Sequence, residues 1–382
     1  MFKILRMKKI QMVDLISQYQ HIKPTIDKGF EEVLSTASFI NGPQVNLFAQ
    51  NLEKYLDVKH VIPCGNGTEA LQIALMALDL QPGDEVITSD FTFAATVEVI
   101  SLLKLNSVLV DVDYDTFTIS PEAIRKAITP RTKAIIPVHL FGQCANMEEI
   151  LQIANEHNLY VIEDNAQAIG AEYTFKNGTC KKSGTMGIIG TTSFFPSKNL
   201  GCYGDGGALF TDDDELAHKI RGIVNHGMYK RYYHDEIGVN SRLDSLQAVV
   251  LNTKLPLLDS YNEKRIKAAN YYDRAFSDHP NLVIPVRMEL YSTHVFHQYT
   301  LKVINSDRNS LQQYLSKREI PAMIYYPVPL RKQKAYDNGN YNDEDFPVTN
   351  KLIDEVISLP MHTELEEDQL KFITDTVLNF FK

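Results

Sequence analysis

The sequence predicts an α/β protein, in which a mainly parallel central sheet forms a large domain and a smaller α+β domain follows it. In the first half of the chain, short apolar runs alternate with segments of about ten residues that have helical spacing. The apolar runs lack strict alternation, which is typical of parallel strands buried on both faces. From about residue 260 the pattern changes to polar helices and isolated apolar runs, which indicates a second unit.

The elements of the first half follow in regular order. The apolar runs predict strands at 60–64, 84–89, 107–113, 132–140 and 159–165. The spacing of apolar residues between these runs predicts helices at 67–78, 94–103, 121–128 and 147–157. Strands that alternate with helices in this way form a parallel sheet with helices on its faces.

The second half begins with a glycine- and aromatic-rich stretch, 190–213, that predicts two short strands around a tight turn. Helices are predicted at 214–224, 244–255, 260–276 and 307–318. We expect a large domain at residues 1–258 and a small C-terminal domain at 259–382. The segment 1–30 is expected to pack on one of the two domains, with the small domain as the candidate.

Composition excludes several classes of protein. The 382 residues include 38 Lys and Arg and 48 Asp and Glu, a net charge of −10, which does not favour nucleic-acid binding. The four cysteines form no C-x-x-C pair, so the sequence indicates neither a metal site nor a disulfide framework. No apolar run has the length of a membrane span. We therefore expect a cytoplasmic protein without a metal, nucleic acid or membrane as partner.

A glycine motif lies between the first predicted strand and its helix. The sequence CGNGTEA at 64–70 matches the dinucleotide pattern G-x-G-x-x-A, so an NAD-dependent nucleotide-sugar enzyme is one alternative. Such enzymes place a Tyr-x-x-x-Lys pair after the glycines, whereas the pairs at 19–23 and 55–59 precede them. In either case the helix N-terminus at Gly67 and the Thr68 hydroxyl predict a cradle for an anion. A plain strand-to-helix turn is the simpler interpretation.

A lysine follows the run SFFPS in an apolar, glycine-rich stretch. Lys198 is surrounded by Phe194, Phe195, Pro196 and the glycines that begin at Gly201. Burial among apolar groups lowers the pKa of a lysine because the charged form loses its hydration. The resulting neutral amine is a nucleophile that can form a Schiff base with a carbonyl group. The alternative is an ordinary surface lysine at a turn.

Candidates for binding a flat ring lie at two strand ends. Asp164 ends an apolar strand, at the edge where open α/β sheets bind ligands, and Glu163 should point the other way. A carboxylate there could keep a cofactor ring nitrogen protonated, and Gln167 could reach the same ring. Phe93 could stack on the ring, with Phe91 as its competitor. A helix cap for Asp164 and a core position for either phenylalanine are the structural alternatives.

Several motifs together resemble one family, the DegT/DnrJ/EryC1/StrS sugar aminotransferases. They are NGT at 66–68, FTFAAT at 91–96, EDNAQAIGA at 163–171, SFFPSKNLGCYGDGGA at 193–208 and GVNSRLDSLQA at 238–248. The resemblance implies the fold type I architecture of pyridoxal 5′-phosphate (PLP) enzymes and a homodimer whose active sites are shared between subunits. It also implies an aminotransferase that moves the amino group of L-glutamate to a keto group of a nucleotide-linked (UDP- or dTDP-) sugar. Bacterial surface polysaccharide or glycan precursors are then the expected products.

The resemblance also implies roles for individual residues. Lys198 resembles the lysine that binds the cofactor covalently, Asp164 the partner of the pyridine nitrogen, and Gln167 the group near the ring hydroxyl. Phosphate binding is implied for residues that include Gly67, Thr68, Glu69 through its backbone amide, and Ser193. Phe93 takes the place of the stacking aromatic residue.

The substrate side is less defined by the resemblance. Asn240 resembles a residue that reaches the phosphate from the other subunit, and Arg242 a cation near the substrate. Tyr325 and Tyr326 lie in a Tyr-Tyr-Pro sequence where some members have His-Tyr-Pro, so the identity of the sugar stays open. The basic pair at 331–332 could contact diphosphate oxygens, with a solvated pair as the alternative.

The sequence leaves three alternatives to the aminotransferase function that the resemblance implies. A sister branch of the family removes a hydroxyl group and has a histidine at the lysine position, which disfavours this activity for a chain with Lys198. The NAD-dependent enzyme is the second alternative. A non-catalytic, cofactor-binding regulator is the third, and the set Asp164, Gln167 and Lys198 argues against it. The sugar, the nucleotide and the aminated carbon are not determined by the sequence.

Overall fold

A seven-stranded sheet forms the centre of the structure, a computed structural model that describes residues 8–337 and 339–382. The described strands, in chain order, are β1 (His60–Cys64), β2 (Glu85–Ser89), β3 (Asn106–Val110), β4 (Thr132–Ile136), β5 (Tyr160–Asp164), β6 (Glu172–Thr174), β7 (Cys180–Lys182), β8 (Ile189–Ser193), β9 (Gly207–Thr211), β10 (Met228–Lys230), β11 (Tyr233–His234), β12 (Leu282–Val283), β13 (Tyr299–Val303) and β14 (Val356–Leu359). The described α-helices are α1 (Leu15–Thr36), α2 (Pro43–Leu56), α3 (Gly67–Ala77), α4 (Ala95–Leu102), α5 (Pro121–Ala127), α6 (Met147–His157), α7 (Asp214–Ile223), α8 (Ser245–Lys254), α9 (Leu258–Phe276), α10 (Arg308–Ser316), α11 (Pro347–Glu355) and α12 (Glu367–Phe380).

The central sheet has the order β1-β9-β8-β5-β4-β2-β3. The strands from β3 to β8 in this order pair in parallel, and β9 pairs antiparallel with both β8 and β1. One reversed strand therefore lies within an otherwise parallel sheet. The predicted α/β fold with a mainly parallel central sheet is confirmed.

The predicted elements of the first half all form, although two strands are shorter than expected. The strand predicted at 132–140 ends at Ile136, and the segment Leu140–Gly142 forms a single 3₁₀ turn instead. The strand predicted at 107–113 ends at Val110. Apolar composition alone overestimated both lengths, because the chain stays buried after it has left the ladder of the sheet.

The prediction of a tight turn between the two strands of 190–213 is wrong. Strands β8 and β9 form and pair, but the loop 194–206 joins them. This loop is folded against the core: the backbone amide of Phe194 donates to the carbonyl of Gly206 at 2.8 Å, and that of Cys202 to the carbonyl of Phe194 at 2.8 Å. Phe194, Leu200 and Cys202 are fully buried. The glycines of this stretch thus permit a packed loop rather than a hairpin turn.

A second, antiparallel sheet of order β12-β13-β14 lies in the C-terminal part. Side chains of α9, α10 and α12 pack on it and form a separate apolar core, which also includes Ile10. Ile22 and Ile26 of α1 instead pack with α2, α8 and β9. The described part of the segment 1–30 therefore contacts both cores, while residues 1–7 lie outside the described residues. The division at 258/259 stays a prediction.

None of the helices in the described ranges is both long and apolar enough to cross a membrane.

A buried ion pair fixes the C-terminal chain to the end of β2. The Arg331 guanidinium binds the Asp90 carboxylate, and the Arg331 amide donates to Asp90 Oδ1 at 2.8 Å. Both side chains are buried, and Arg331 also donates to Asp343 at 2.9 Å. Arg331 is therefore neither a diphosphate ligand nor a solvated residue, and both interpretations of it were wrong. Lys332 is exposed and pairs with Asp343 at 2.7 Å.

Arg331→Leu is expected to lower the free energy of unfolding by about 3–5 kcal/mol, because it leaves the Asp90 carboxylate buried without a counter-charge. Lys332→Ala is the control, since its exposed pair contributes about 1 kcal/mol at most. Urea unfolding followed by circular dichroism measures both. A loss for Arg331→Leu no larger than that for Lys332→Ala would show that the ion pair does not stabilise this segment.

Candidate active site

A cavity of about 900 Å³ opens at the carboxyl ends of the sheet strands. This edge is where open α/β sheets bind their ligands. The cavity is lined by the first turn of α3, the ends of β5 and β8, the loop 194–206 and the segment 325–333. Ten of the residues predicted for the site lie together on its wall: Gly67, Thr68, Glu69, Phe93, Asp164, Gln167, Ser193, Lys198, Tyr325 and Tyr326.

The N-terminus of α3 forms one end of the cavity. Asn66 caps the helix by accepting a hydrogen bond from the Glu69 amide at 2.8 Å. The amides of Gly67 and Thr68 have no acceptor among the described residues. A Cβ at Gly67 would lie 2.6 Å from the Ser193 Cβ, so only glycine lets this turn approach the end of β8. The free amides and the nearby hydroxyl of Ser193 form a cradle that suits a phosphate group.

Two carboxylates at the end of β5, those of Glu163 and Asp164, lie on opposite sides of the strand. Asp164 lines the cavity and accepts hydrogen bonds from Thr96 Oγ1 at 2.9 Å and from the Ala166 amide at 3.2 Å. Glu163 points to the opposite side of the strand, where His139 Nε2 lies 2.8 Å from its carboxylate. The Glu163 carboxylate also accepts from the amide of Gly184 at 2.8 Å. The expected alternation is thus present, and Asp164 faces the ligand side while it also caps the turn that follows.

Lys198 lies in the loop 194–206, and its side chain is half-buried on the cavity wall. Burial lowers the pKa of the Lys198 amine to about 8, and the Asp164 carboxylate opposes this effect. Among the described residues, the amine has no hydrogen-bond or ion-pair partner. A larger neutral fraction is therefore present near neutral pH than for an ordinary lysine, and the neutral nitrogen is available to a carbonyl group.

Aromatic residues complete the wall. Phe93 is 57% exposed and lines the cavity, with its ring centroid 6.3 Å from that of Tyr326. Phe91 is 1% exposed and belongs to the apolar core, so Phe93 is the phenylalanine that can stack on a ligand. Gln167 accepts from the Phe141 amide at 2.8 Å and donates to the Tyr326 hydroxyl at 3.3 Å.

Asn240 and Arg242 do not line this cavity. Asn240 is exposed, and Arg242 donates to Asn225 Oδ1 at 3.1 Å. The hydroxyl of Ser241, which lies between them, accepts from the Gly65 amide at 2.9 Å. The segment is therefore anchored next to the α3 N-terminus of its own chain, and a role in another subunit's site stays a prediction.

The sequence did not single out several residues on the cavity wall. Asn66 had a local signal, a polar residue at the position that caps a helix. His297 had none, and Thr92 lies within the quoted FTFAAT motif without an assigned role. Thr96, whose hydroxyl binds Asp164, lies within the quoted FTFAAT motif but was not assigned a role.

The wall fits a phosphorylated, carbonyl-bearing aromatic cofactor. Three buried polar atoms of wall residues lack a hydrogen-bond partner among the described residues: Thr92 Oγ1, Glu69 Oε2 and His297 Nδ1. The α3 cradle suits a phosphate, the Asp164 carboxylate suits a protonated ring nitrogen, and the amine of Lys198 suits a carbonyl group. These are the groups by which PLP binds to protein.

A comparison with protein families matches residues 20–378 to the model of the DegT/DnrJ/EryC1/StrS aminotransferase family. The chain is 44% identical over 374 residues to a Geobacillus stearothermophilus protein named "Pleiotropic regulatory protein", covering 98% of this chain and 99% of that one. It is 44% identical to UDP-2-acetamido-2-deoxy-3-oxo-D-glucuronate aminotransferase of Pseudomonas aeruginosa, covering 97% and 100%. It is 42% identical to UDP-N-acetyl-3-dehydro-alpha-D-glucosamine 3-aminotransferase of Acidithiobacillus ferrooxidans, covering 96% and 97%.

Solved structures agree with these relatives. A DegT DnrJ EryC1 StrS aminotransferase from Brucella abortus superposes with a TM-score of 0.91 at 38% identity, covering 97% of this chain and 99% of that chain. NtdA of Bacillus subtilis, solved with bound cofactor PMP, superposes with a TM-score of 0.89 at 30% identity, covering 99% and 86%. PLP is therefore the cofactor that the site fits.

Asp164→Asn is expected to lower the pKa of Lys198 below about 8 in the protein freed of cofactor, because the carboxylate that favours the ammonium form is removed. The measurement is a pH titration of ¹³Cε-labelled lysine by NMR. Lys254 is an internal control: burial also lowers its pKa to about 8, and Asp164 is not among the groups that affect it. An unchanged Lys198 titration would show that the two groups do not interact.

Proposed function

Since the chain belongs to the DegT/DnrJ/EryC1/StrS aminotransferase family and is a PLP-dependent aminotransferase, we propose that it transfers the amino group of L-glutamate to a keto group of a nucleotide-linked sugar. The observation that carries this proposal is the placement of an amine of lowered pKa, a buried carboxylate and an unpaired helix N-terminus around one cavity. The UDP-linked substrates in the names of two relatives support a UDP- or dTDP-sugar here.

When bound, PLP supplies an electron sink for the carbon from which a proton is removed. In this proposal the amides of Gly67 and Thr68, with the Ser193 hydroxyl, hold the phosphate. The backbone amide of Glu69, which was expected to join them, instead donates to the Asn66 side chain that caps the helix. Phe93 stacks on one face of the ring. These contacts lie away from the reacting carbon, so they orient it without taking part in the proton transfer.

Two side chains carry the chemistry in this proposal. Asp164 holds a proton on the pyridine nitrogen, and its hydrogen bonds to Thr96 and the Ala166 amide fix the direction of its oxygens. The neutral amine of Lys198 would take the proton that leaves the Cα of glutamate, and would return a proton to the carbon of the keto sugar that is aminated. Gln167, already hydrogen-bonded to Phe141 and Tyr326, lies beside the ring hydroxyl.

In this proposal the residues that bind the sugar substrate come from two subunits. Tyr325 and Tyr326 line the cavity and contact the sugar, while Asn240 and Arg242 reach the site of a partner subunit. Exposed apolar side chains of Phe39, Ile40 and Ile237 surround the segment that carries them, as expected of a face that another subunit covers. A role in precursors of bacterial surface polysaccharides is proposed on the resemblance alone.

The alternative functions lack a comparable arrangement. The Tyr-x-x-x-Lys pairs of the NAD hypothesis do not line the cavity. Tyr19 and Lys23 bind Asp27 on the surface, and Tyr55 binds Asp259. The dehydratase of the sister branch needs a histidine at position 198. A purely regulatory protein has no use for an amine of lowered pKa beside Asp164.

The direct test is amino transfer to a panel of UDP- and dTDP-linked keto sugars with L-glutamate, with the products identified by mass spectrometry. An aminated nucleotide sugar and 2-oxoglutarate in equal amounts are the expected products. Glutamate alone should bleach the visible absorption of the holoenzyme. No amination of any keto sugar, by a holoenzyme that glutamate does not bleach, would refute the proposal.

Lys198→Ala is expected to reduce turnover by at least 10²–10⁴-fold, roughly the contribution of a positioned general acid–base group. It should still retain PLP, because the phosphate cradle and Asp164 are unchanged. Steady-state kinetics and the cofactor content after dialysis measure the two effects. Turnover within about tenfold of the wild type would contradict the role of Lys198.

Mixing inactive subunits tests the shared site. A Lys198→Ala subunit and a subunit with Asn240→Ala and Arg242→Ala are each expected to be inactive. A mixed dimer has one site that carries both defects and one intact site, so activity should return after subunit exchange. Exchange is verified by mass spectrometry of the native assembly. Verified mixed dimers without activity would show that each site is built from one chain.

A further inference from the structure

Lys254 is a buried lysine that the proposed chemistry does not use. It is the last residue of α8, and only 1% of it is exposed. Its amine donates to the carbonyl of Gly201 at 2.7 Å and lies over the ring of Tyr203, 4.6 Å from the ring centroid. Both contacts are with the loop 194–206, which carries Lys198. The residue therefore contacts the loop of the active-site lysine although it does not line the cavity.

The amine of Lys254 has no carboxylate partner in the described part of the chain. Burial removes its hydration, and one carbonyl and one aromatic ring replace only part of what water would supply. Burial accordingly lowers the pKa of Lys254 to about 8, while Cys202 opposes this shift. An unbranched apolar side chain such as methionine would fill a similar space without this loss of hydration. Packing alone therefore does not account for a lysine at this position.

The contact with Gly201 lies between two other attachments of the loop. The loop contains neither a helix nor a strand, so contacts with other elements determine its course. Before Gly201, Asn199 Nδ2 donates to Asn262 Oδ1 of α9 at 2.7 Å. After Gly201, the Tyr203 amide donates to Gln247 Oε1 of α8 at 2.8 Å. The buried amine therefore holds the backbone in the middle of this stretch.

Gly201 packs directly on the turn that precedes Lys198. A Cβ at Gly201 would lie 2.4 Å from the carbonyl oxygen of Pro196 and 2.8 Å from that of Phe195. The Phe195 carbonyl also accepts from the backbone amide of Lys198 at 2.8 Å. The chain thus returns onto its own turn at Gly201, and a shift of Gly201 would change the packing of the turn that presents Lys198.

We propose that Lys254 is a positioning residue: its amine holds the Gly201 carbonyl, keeps the loop packed on the turn before Lys198 and so keeps the Lys198 amine in place on the cavity wall. The inference rests on the proposed function and assigns no proton transfer to Lys254. A residue outside the cavity can affect the rate in this way because a displacement of about 1 Å at a reacting group slows catalysis strongly.

Two variants separate positioning from general packing. Lys254→Met keeps the unbranched chain and removes the donor. Lys302→Met is the matched control, because Lys302 is also fully buried, donates to the carbonyl of Tyr114 at 2.9 Å and lies 3.8 Å from the centroid of that ring. Its further ion pair is with Asp115, at 3.6 Å, and not with the loop of Lys198.

The first readout is amide hydrogen exchange in the protein freed of cofactor, followed by mass spectrometry. Lys254→Met is expected to speed exchange in residues 194–206 by about tenfold, the effect of one lost hydrogen bond, while β4 and β5 exchange as in the wild type. Its thermal midpoint should stay within a few degrees of the wild type, because the variant no longer buries an unpaired amine. Lys302→Met should leave exchange in 194–206 unchanged.

Unchanged exchange in 194–206 for Lys254→Met would overturn the inference. Failure of this variant to fold, or equally faster exchange throughout the central sheet, would also overturn it, because Lys254 would then stabilise the whole domain rather than the loop. This readout does not depend on the reaction that the enzyme catalyses.

The second readout is the half-reaction with glutamate, measured by stopped-flow on the variants loaded with PLP. Lys254→Met is expected to slow the step at saturating glutamate by about 10–10²-fold, since the Lys198 amine is displaced. The dissociation constants of PLP and glutamate should stay within about twofold of the wild type, and Lys302→Met should react at the wild-type rate. An unchanged rate in Lys254→Met would contradict the positioning role. Failure of the wild-type holoenzyme to react with glutamate would instead count against the proposed function.

Discussion

The first turn of α3 packs closely against the paired strands β8 and β9, and two glycines make this approach possible. A Cβ at Gly67 would lie 2.6 Å from the Ser193 Cβ, and one at Gly207 would lie 2.5 Å from the carbonyl carbon of Asn66. Any side chain at either position would push the helix away from the sheet. The loop that carries Lys198 begins at this contact, so the same constraint places the anion cradle and the amine around one cavity.

Strand β5 of the sheet places the carboxylates of Glu163 and Asp164 on opposite sides. Successive side chains of a strand point to opposite faces, so Glu163 is hydrogen-bonded to His139 and to backbone amides while Asp164 lines the cavity. Burial and Asp164 have opposite effects on the Lys198 amine: burial favours its neutral form and the carboxylate favours its charged form. The amine thus titrates near neutral pH, where one group can both give and take a proton.

The sequence predicted most of the central sheet and most of the residues that line the cavity. These features depend on neighbouring residues, because the period of a strand or helix, a helix cap and a strand end are all local patterns. What failed depended on distant partners. Arg331 looked like part of a basic surface pair, but its burial depends on Asp90, which lies at the other end of the chain. The loop 194–206 looked like a turn because composition does not show that Phe194 and Leu200 enter the core. His297 had no signal, since nothing in its neighbouring residues shows that it lines the cavity.

The position of Ser241 adds a consequence for the proposed dimer. Its hydroxyl accepts from the Gly65 amide, directly before the α3 cradle, while Asn240 and Arg242 on either side of it do not line the cavity of their own chain. In a dimer with shared sites, each such segment would contact its own cradle through Ser241 and the partner's ligand through its neighbours. If a ligand in one site displaced this segment, the displacement would then also change the contact with the α3 N-terminus in the other site. Coupling of this kind would need no long pathway, because in such a dimer one short, anchored segment would contact both sites.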